Sequence, residues 1–375
     1  MAKVLILGGG FAGVVAAQEL ARELKDEHQI TLVSRSKKFV FYPALVRLAF
    51  GRCEPEDVSF DLRKSMLDRR VAFIEGEVAR INPEERKVNI AHGEVEGDLP
   101  YDYLVFALGR RLATERISGF FEHAHHLMSV EPALRFGDAI ANFKGGHAVI
   151  GQCPEARTPV PVYETAFALT RLLRERGQLY RSRITIVSPD PKGDEFGDAA
   201  VNQALEKGLK EWGIKFIPDF PIDRITATTV AALNRQSIDF NLLMLVPPFR
   251  GAPAASYLGI TSDQSYINVD STMRVVGVER MYAAGDCVNF SGPKMGHMAI
   301  RQAEVAATNL IAEIAGRERT SHYIHEAKLV IDTGSKETIY MNKDLWTGEP
   351  ATFKQGRFWS WAKRAQEKYW EASHF

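Results

Sequence analysis

An N-terminal strand, glycine turn and helix constrain the fold of this chain more than any other stretch. Val4 to Leu7 form a continuous apolar run, which is typical of a strand buried on both faces of a parallel sheet. Gly8, Gly10 and Gly13 follow at the spacing Gly-x-Gly-x-x-Gly. There the first glycine permits a tight turn, the second admits a pyrophosphate, and the third lets a helix pack on the strand. The stretch predicts a dinucleotide-binding unit, with contacts from Gly8, Gly10, Phe11, Ala12 and Gly13.

The next predicted strand departs from the usual dinucleotide pattern. Ile30 to Val33 lead into Ser34, where an acid that binds a ribose hydroxyl is expected. A serine hydroxyl can still hydrogen-bond a ribose, at neutral strength. We expect Ser34 and Arg35 to contribute to the cofactor site. The aromatic stretch 39–45 that follows is either a small core cluster or a wall beside a bound ring.

Composition excludes several classes of protein. In 375 residues, 47 Lys+Arg balance 47 Asp+Glu, giving a net charge of +0, so no global field attracts nucleic acid. Three cysteines cannot build a disulfide framework and suit a reducing, cytoplasmic compartment. No apolar run is long enough to span a bilayer. His123, His125 and His126 lack companion ligands at metal spacing, and we expect no metal site.

The middle of the chain predicts a second unit of the same kind. A strand from His147 to Ile150 is followed by helical and strand patterns that alternate up to residue 217, as in a second βαβαβ half. We therefore predict an α/β fold with two Rossmann-like dinucleotide-binding domains and a C-terminal amphipathic segment. The predicted divisions are 1–110 with 265–320, then 111–264, then 321–375.

The turn of this second unit lacks the glycines that a nucleotide needs. Only Gly151 remains, and Gln152, Cys153 and Pro154 follow it. Side chains at these places obstruct a pyrophosphate, and proline removes backbone donors. The turn therefore argues against a bound NADH, although degraded turns of this kind can still bind nucleotides.

Cys153 and Glu164 are the candidate catalytic residues at this turn. A thiolate at Cys153 could attack sulfur or add to a flavin, and Arg157 and the helix near Val162 are expected to lower its pKa. The alternative is an inert buried cysteine. Glu164 is either a proton acceptor or an acid that the helix dipole stabilises.

Several stretches resemble known flavoproteins. Tyr282 to Asp286 resembles the second flavin-binding motif of flavoproteins with two dinucleotide-binding domains, of the disulfide-reductase type, and Tyr101 to Gly109 resembles one of their strands. Within that superfamily the chain is similar to the branch of sulfide:quinone oxidoreductase and flavocytochrome c sulfide dehydrogenase. The stretches that carry this similarity are 30–34 with 41–43, 153–164, 245–249, and 293–296 with 302–306.

The resemblance implies an FAD enzyme that passes electrons from sulfide or a related sulfur compound to quinone. It places Cys153 over the flavin, with Glu164 nearby. Further implied cofactor contacts are Ala107, Gly109, Gly285, Asp286 and Lys294, and the implied quinone residues are Pro43 and Gly296. The family's second redox cysteine is missing, because no cysteine follows Cys287. Two alternatives stay open: a type II NADH:quinone oxidoreductase, and a non-enzymatic flavin-binding redox sensor.

The C-terminus predicts an amphipathic helix. Its apolar residues recur at helical spacing, with basic residues off the stripe; they are Phe358, Trp361, Ala362, Ala365 and Tyr369. Such a helix can lie in a membrane interface, and a resemblance to the tail of membrane-associated sulfide oxidoreductases favours that role. We expect peripheral association with the inner face of the cell membrane. The helix could equally pack on the protein or form the interface of a homo-oligomer.

Overall fold

The computed structural model describes residues 1–191, 196–258, 261–333 and 338–375. The helices are α1 Phe11–Leu24, α2 Leu45–Ala49, α3 Leu62–Leu67, α4 Phe120–His123, α5 Val130–Asn142, α6 Val160–Glu175, α7 Ala199–Trp212, α8 Gly296–Ile314 and α9 Arg357–His374. The strands are β1 Lys3–Leu7, β2 Gln29–Ser34, β3 Lys38–Val40, β4 Ser59–Asp61, β5 Ala72–Asn82, β6 Lys87–Gly93, β7 Gly97–Pro100, β8 Tyr103–Phe106, β9 Arg110–Leu112, β10 Gly146–Gln152, β11 Ser182–Val187, β12 Lys215–Ile217, β13 Ile222–Ile225, β14 Thr229–Ala232, β15 Ser237–Asp239, β16 Leu242–Val246, β17 Phe249–Gly251, β18 Met281–Ala283, β19 Glu326–Asp332, β20 Thr338–Asp344 and β21 Thr352–Gln355.

The first sheet is built from the N-terminal part of the chain and one late strand. Its order is β18-β8-β1-β2-β5-β6-β7. The strands from β18 to β5 are parallel, and β6 and β7 extend them as an antiparallel meander. All of β1 except Lys3 is buried, as the apolar run predicts for a central parallel strand. Helix α1 begins at Phe11, three residues earlier than the Val14 start that the sequence suggests.

The second sheet has the order β12-β11-β10-β16, and all its strands are parallel. Every residue of β16 is buried. The stretch 239–249 is divided into β15, β16 and β17. Pro247 and Pro248 separate β16 from β17, because proline cannot donate to a ladder. The two parallel sheets with their helices confirm the predicted α/β fold class, while the predicted division into three domains stays a prediction.

A third sheet, β19-β20-β21, is antiparallel and carries the C-terminal helix. Helix α9 packs across this sheet, where Trp359 stacks on Tyr340 with ring centroids 4.0 Å apart. The far end of α9 reaches the first domain: the carbonyl oxygen of His374 accepts hydrogen bonds from Gln18 at 3.0 Å and Ser65 at 2.5 Å. Helix α9 thus bridges the C-terminal sheet and the first Rossmann-like sheet.

Candidate functional site

One cavity of about 1690 Å³ collects residues from all parts of the chain. It runs from the β1–α1 turn past the aromatic stretch and the start of α6 to the start of α8 and the inner face of α9. Most of the predicted site residues line it, namely Gly8, Gly10, Phe11, Ala12, Ser34, Arg35, Pro43, Ala107, Gly109, Glu164, Gly285, Asp286, Lys294 and Gly296. Of the predicted set, Gly13 and Cys153 do not. The binding roles of these residues stay predictions, but their common position is a property of the fold.

The first glycine turn has the geometry that a pyrophosphate requires. Gly8 has φ +109°, and a Cβ there would lie 2.2 Å from the carbonyl oxygen of Ala107. A Cβ on Gly13 would lie 1.8 Å from the carbonyl oxygen of Gly8, so this glycine lets α1 pack against the turn. At Gly10 no described atom lies within 4 Å of the Cβ position. The turn therefore presents an open backbone surface to the cavity at the N-terminus of α1.

Gly9 packs closely against Ser34 at the end of β2. A Cβ on Gly9 would lie 2.6 Å from Oγ of Ser34, a constraint that the Gly-x-Gly-x-x-Gly spacing does not reveal. The Ser34 hydroxyl donates to the carbonyl oxygen of Ser36 at 2.8 Å. Its proton is therefore used in a local turn, and a ribose hydroxyl would have to donate to the Ser34 oxygen.

The cavity contains a buried set of charges beside the second flavin-type motif. Asp286 pairs with Arg110, whose guanidinium also lies 4.0 Å from the centre of the Phe249 ring. Nζ of Lys294 donates to the carbonyl oxygen of Val288. Burial, with Arg157 and Arg110 nearby, holds the pKa of Lys294 well below its ordinary value. Sequence reasoning missed Arg110, because its partner lies 176 positions away.

Glu164 is held by the C-terminal helix. Its Oε1 accepts from Nζ of Lys363 at 2.6 Å and from the backbone N–H of Asp332 at 3.0 Å. Glu164 is 7% exposed, and both partners of the ion pair line the cavity. Glu164 is the fifth residue of α6, beyond its first turn. The Glu164 carboxylate is therefore held at the cavity wall by one charged donor and one backbone donor.

The turn after β10 is closed where a second pyrophosphate would bind. A Cβ on Gly151 would lie 2.4 Å from Val187, so this glycine serves the packing of β10 against β11. Arg157 donates to the carbonyl oxygens of Gly292 and Phe290, and its own carbonyl accepts from the N–H of Lys294 at 2.7 Å. The turn is thereby fastened to the loop that precedes α8, which supports the argument against NADH.

Cys153 lies elsewhere than expected. It has 0% exposure and packs in an apolar cluster with Val149, Phe220 and Leu245, outside the cavity. The expected lowering of its pKa is wrong, because burial raises it above the ordinary thiol value. A neutral thiol in a dry cluster has neither the charge nor the access that a nucleophile needs. We therefore assign Cys153 no catalytic role.

The other two cysteines are also outside the lining of the cavity. Cys287 is buried, and its Sγ lies 3.2 Å from the carbonyl oxygen of Ala284. Burial raises its pKa to about 12. Cys53 is partly exposed. All three cysteines lie in the described residues, so the cavity is lined without a thiol.

Helix α9 has two different faces. The inner face carries Lys363 and Trp370, whereas two aromatic residues of the predicted stripe point outward: Phe358 and Trp361 are 61% and 64% exposed. Tyr369, although 73% exposed, also lines the cavity. Within the described residues no helix combines the length and hydrophobicity needed to cross a bilayer. No group of three or more His, Cys, Asp or Glu in this part of the chain is placed to hold a metal ion.

The residues around the cavity fit FAD. The open Gly10 backbone at the start of α1 suits a pyrophosphate, and Gly285, with φ +92°, leaves a Cβ-free approach beside Ala12. Arg110 and Lys294 line the same cavity as this turn. These groups would hold the cofactor, and FAD when bound supplies two-electron redox chemistry.

The comparisons with known proteins agree with this site. Residues 2–306 match the pyridine nucleotide-disulphide oxidoreductase family. A sulfide-quinone reductase of Aquifex aeolicus is 28% identical over 269 residues, covering 69% of this chain and 61% of the relative's length. A type II NADH:quinone oxidoreductase of Staphylococcus haemolyticus is 25% identical over 379 residues, covering 94% and 92%.

Among solved structures, the sulfide:quinone oxidoreductase from the hyperthermophilic bacterium Aquifex aeolicus is similar, with a TM-score of 0.90 and 25% identity. The superposition covers 98% of this chain and 90% of that chain. The fold, the glycine turns and the family match point to the same class of protein. The chain therefore belongs to the pyridine nucleotide-disulphide oxidoreductase family and is an FAD-dependent oxidoreductase.

Proposed function

We propose that this protein oxidises hydrosulfide, or a related small sulfur compound, and delivers the two electrons through FAD to a quinone. The observation that carries the proposal is that one cavity is lined by the glycine turn after β1, by Glu164 and by the predicted quinone residues Pro43 and Gly296. The sulfide-quinone reductase of Aquifex aeolicus and the NADH:quinone oxidoreductase of Staphylococcus haemolyticus share quinone as the acceptor. These two relatives differ in their electron donor, which is sulfide for one and NADH for the other.

The closed turn at Gly151 favours a small donor over NADH. The hydrogen bonds from Arg157 tie the turn to the loop before α8, and this packing, together with the side chains of Gln152, Cys153 and Pro154, argues against a second dinucleotide. A hydrosulfide ion is small enough to need no dinucleotide-binding turn, and Arg110, Lys294 and Lys363 offer N–H donors along the lining of the cavity. Since no cysteine lines the cavity, the sulfur donor would react without a protein thiol as partner.

The overall reaction balances with a second hydrosulfide as the sulfur acceptor. Two hydrosulfide ions lose two electrons and one proton and form one hydrodisulfide ion, with a new sulfur–sulfur bond. The quinone takes up the two electrons and two protons and becomes the quinol. We assign Glu164, which is buried beside Lys363, to accept the proton that is released when the two hydrosulfide ions are oxidised.

We further propose that the outer face of α9 rests on a membrane surface. Phe358, Trp361 and Tyr369 are exposed side chains of the type that lie at membrane interfaces. Attachment there would bring the cavity close to a quinone dissolved in the bilayer. Placement on the inner face of the cell membrane stays a prediction, as does the oligomeric state.

Donor competition tests the proposed function directly. The FAD-loaded protein is mixed anaerobically with sulfide or with NADH, the loss of flavin absorbance is followed, and turnover is measured with a soluble quinone. We expect sulfide to bleach the flavin and to drive quinone reduction, and NADH to do neither. Bleaching by NADH alone would establish the NADH alternative instead. A flavin that neither donor reduces would favour the redox sensor.

A further inference from the structure

One face of α9 forms a wall of the cavity that also contains the first glycine turn. The residues of this face stand at positions i, i+3, i+4, i+7 and i+11, so they lie on one side of the helix. All of them line the cavity; they are Lys363, Gln366, Glu367, Trp370 and His374. The β1–α1 turn, with Gly8, Gly9 and Gly10, lines the same cavity. Helix α9 and the dinucleotide turn therefore face one space.

The end of α9 is seated on the residues that follow this turn. The ring of Trp370 lies 5.0 Å from that of Phe11, which comes directly after Gly10. The carbonyl oxygen of His374 accepts a hydrogen bond from Gln18, which is also in α1, at 3.0 Å. The end of α9 therefore lies beside the helix whose N-terminus suits a pyrophosphate.

Two ion pairs hold the middle of α9 in place. Glu367 pairs with Arg47 of α2 at 2.6 Å, and these side chains are 18% and 34% exposed. Lys363 pairs with Glu164 of α6, also at 2.6 Å. An ion pair that is partly open to water contributes little free energy. Contacts of this kind can break while the rest of the molecule stays folded.

Few side chains of α9 are buried against the protein. Of its 18 residues, all of which the structure describes, Trp370 alone is buried. Strand β1, by contrast, is buried in four of its five residues. An element with few buried apolar contacts opens locally at a lower free energy than the core does. We therefore expect α9 to detach from the first domain while the sheets stay intact.

We propose that α9 is a strap that retains FAD, and that its detachment opens the cavity for exchange of the cofactor. The Arg47–Glu367 and Lys363–Glu164 pairs hold the strap closed. The ligand is FAD because the turn beside the strap has the geometry of a pyrophosphate site and the family is FAD-dependent. The proposal does not depend on which donor reduces the flavin.

The test measures cofactor exchange and the opening of α9 in the same full-length, FAD-loaded proteins. Protein that carries radiolabelled FAD is mixed with excess unlabelled FAD, and the label that remains bound is followed with time. Hydrogen–deuterium exchange of the backbone amides reports the opening of residues 357–374, with β1 as the reference for the core.

Charge reversal at one ion pair supplies the variants. Glu367→Arg and Arg47→Glu each bring like charges together, and the double variant restores an ion pair of reversed orientation. Glu131→Arg is the matched control, because it creates a like-charge contact with Arg135 on α5, a helix none of whose residues lines the cavity.

We expect each single reversal at the Arg47–Glu367 pair to speed FAD exchange by about 10-fold and to lower the protection of α9, with β1 unchanged. The double variant should return to within about twofold of the unaltered protein, and Glu131→Arg should match the unaltered protein. Glu367→Gln removes the charge without repulsion and should speed exchange by about 2- to 5-fold. It replaces the reversals if they fail to fold.

Three results would overturn the proposal. The first is a loss of protection in α9 while FAD exchanges at the unaltered rate, because α9 would then not control the cofactor. The second is unchanged protection of α9 in both single variants, because the ion pair would then not hold the strap. The third is faster exchange that the double variant fails to reverse, because the effect would then come from general loss of stability.

Discussion

Within the glycine turn after β1, substitution is tolerated least at Gly13. A Cβ there would lie 1.8 Å from the backbone oxygen of Gly8, and backbone cannot move aside as a flexible side chain can. We expect Gly13→Ala to push α1 away from the turn and to lower the bound FAD at least 10-fold, measured as the flavin-to-protein absorbance ratio. Gly348→Ala is the control, because its φ of +71° is also unfavourable but no described atom lies within 4 Å of its Cβ position. Normal FAD content in Gly13→Ala would contradict the close packing described above.

Cys153 tests whether the enzyme depends on a protein thiol. Its side chain fills part of an apolar cluster, so Cys153→Ala should lower the free energy of unfolding by about 1–2 kcal/mol through the lost packing. The rate at which sulfide bleaches the flavin should stay within about twofold of the rate in the unaltered protein, because the thiol is buried outside the cavity. Urea unfolding and anaerobic stopped flow measure the two effects. A loss of bleaching at full FAD content would restore the catalytic role that the sequence suggested for Cys153.

At the scale of elements, α9 combines two surfaces that the sequence presents as one stripe. Lys363, Tyr369 and Trp370 line the cavity, while Phe358 and Trp361 face outward. Deleting the whole helix would therefore disturb the cavity as well as any membrane contact. Substitution of the outer aromatic residues separates the two functions.

The variant that changes Phe358 and Trp361 together to Gln should sediment with anionic liposomes at least 5-fold less than the unaltered protein. Its reduction of a soluble quinone in detergent should be unchanged, because neither residue lines the cavity. Tyr180→Gln, which removes an 87% exposed aromatic residue elsewhere, should bind liposomes normally. Equal sedimentation of the double variant would show that α9 is not the membrane contact.

The β10–α6 turn has the position of a nucleotide-binding turn but a different structural role. It occupies the place of a nucleotide-binding turn in the second sheet, yet Gly151 packs on Val187 and Arg157 bonds to the loop before α8. The turn therefore braces one Rossmann-like unit against the other.

At the scale of the whole molecule, the stability should decline in mild acid. His297 in α8 lies 2.7 Å from the carbonyl oxygen of Glu326 in β19, and burial lowers its pKa to about 4. An unfolded histidine, with a pKa of about 6.5, binds its proton at higher pH than this folded one. The contribution to stability is complete above about pH 6.5 and is lost as the pH falls towards 4, by up to about 3 kcal/mol.

Urea unfolding at several pH values from 7.5 to 4.5 measures this dependence. The decline should be shallower in His297→Gln, which keeps a side-chain donor for Glu326 but does not titrate. His92→Gln, a change at an exposed histidine, should decline in parallel with the unaltered protein. If all three proteins declined in parallel, His297 would not be the group responsible.

Local patterns in the sequence were enough to predict the fold class and the family. The apolar run of β1, the spacing from Gly8 to Gly13 and the motif around Asp286 each specify backbone geometry within a few residues, while the binding roles of the cofactor residues stay predictions. Tertiary structure decided where side chains meet across the fold. It alone placed Cys153 in an apolar cluster and joined Glu164 to Lys363, 199 positions away. It also packed Trp370 against Phe11, since the direction of one side chain depends on packing against elements distant in the chain.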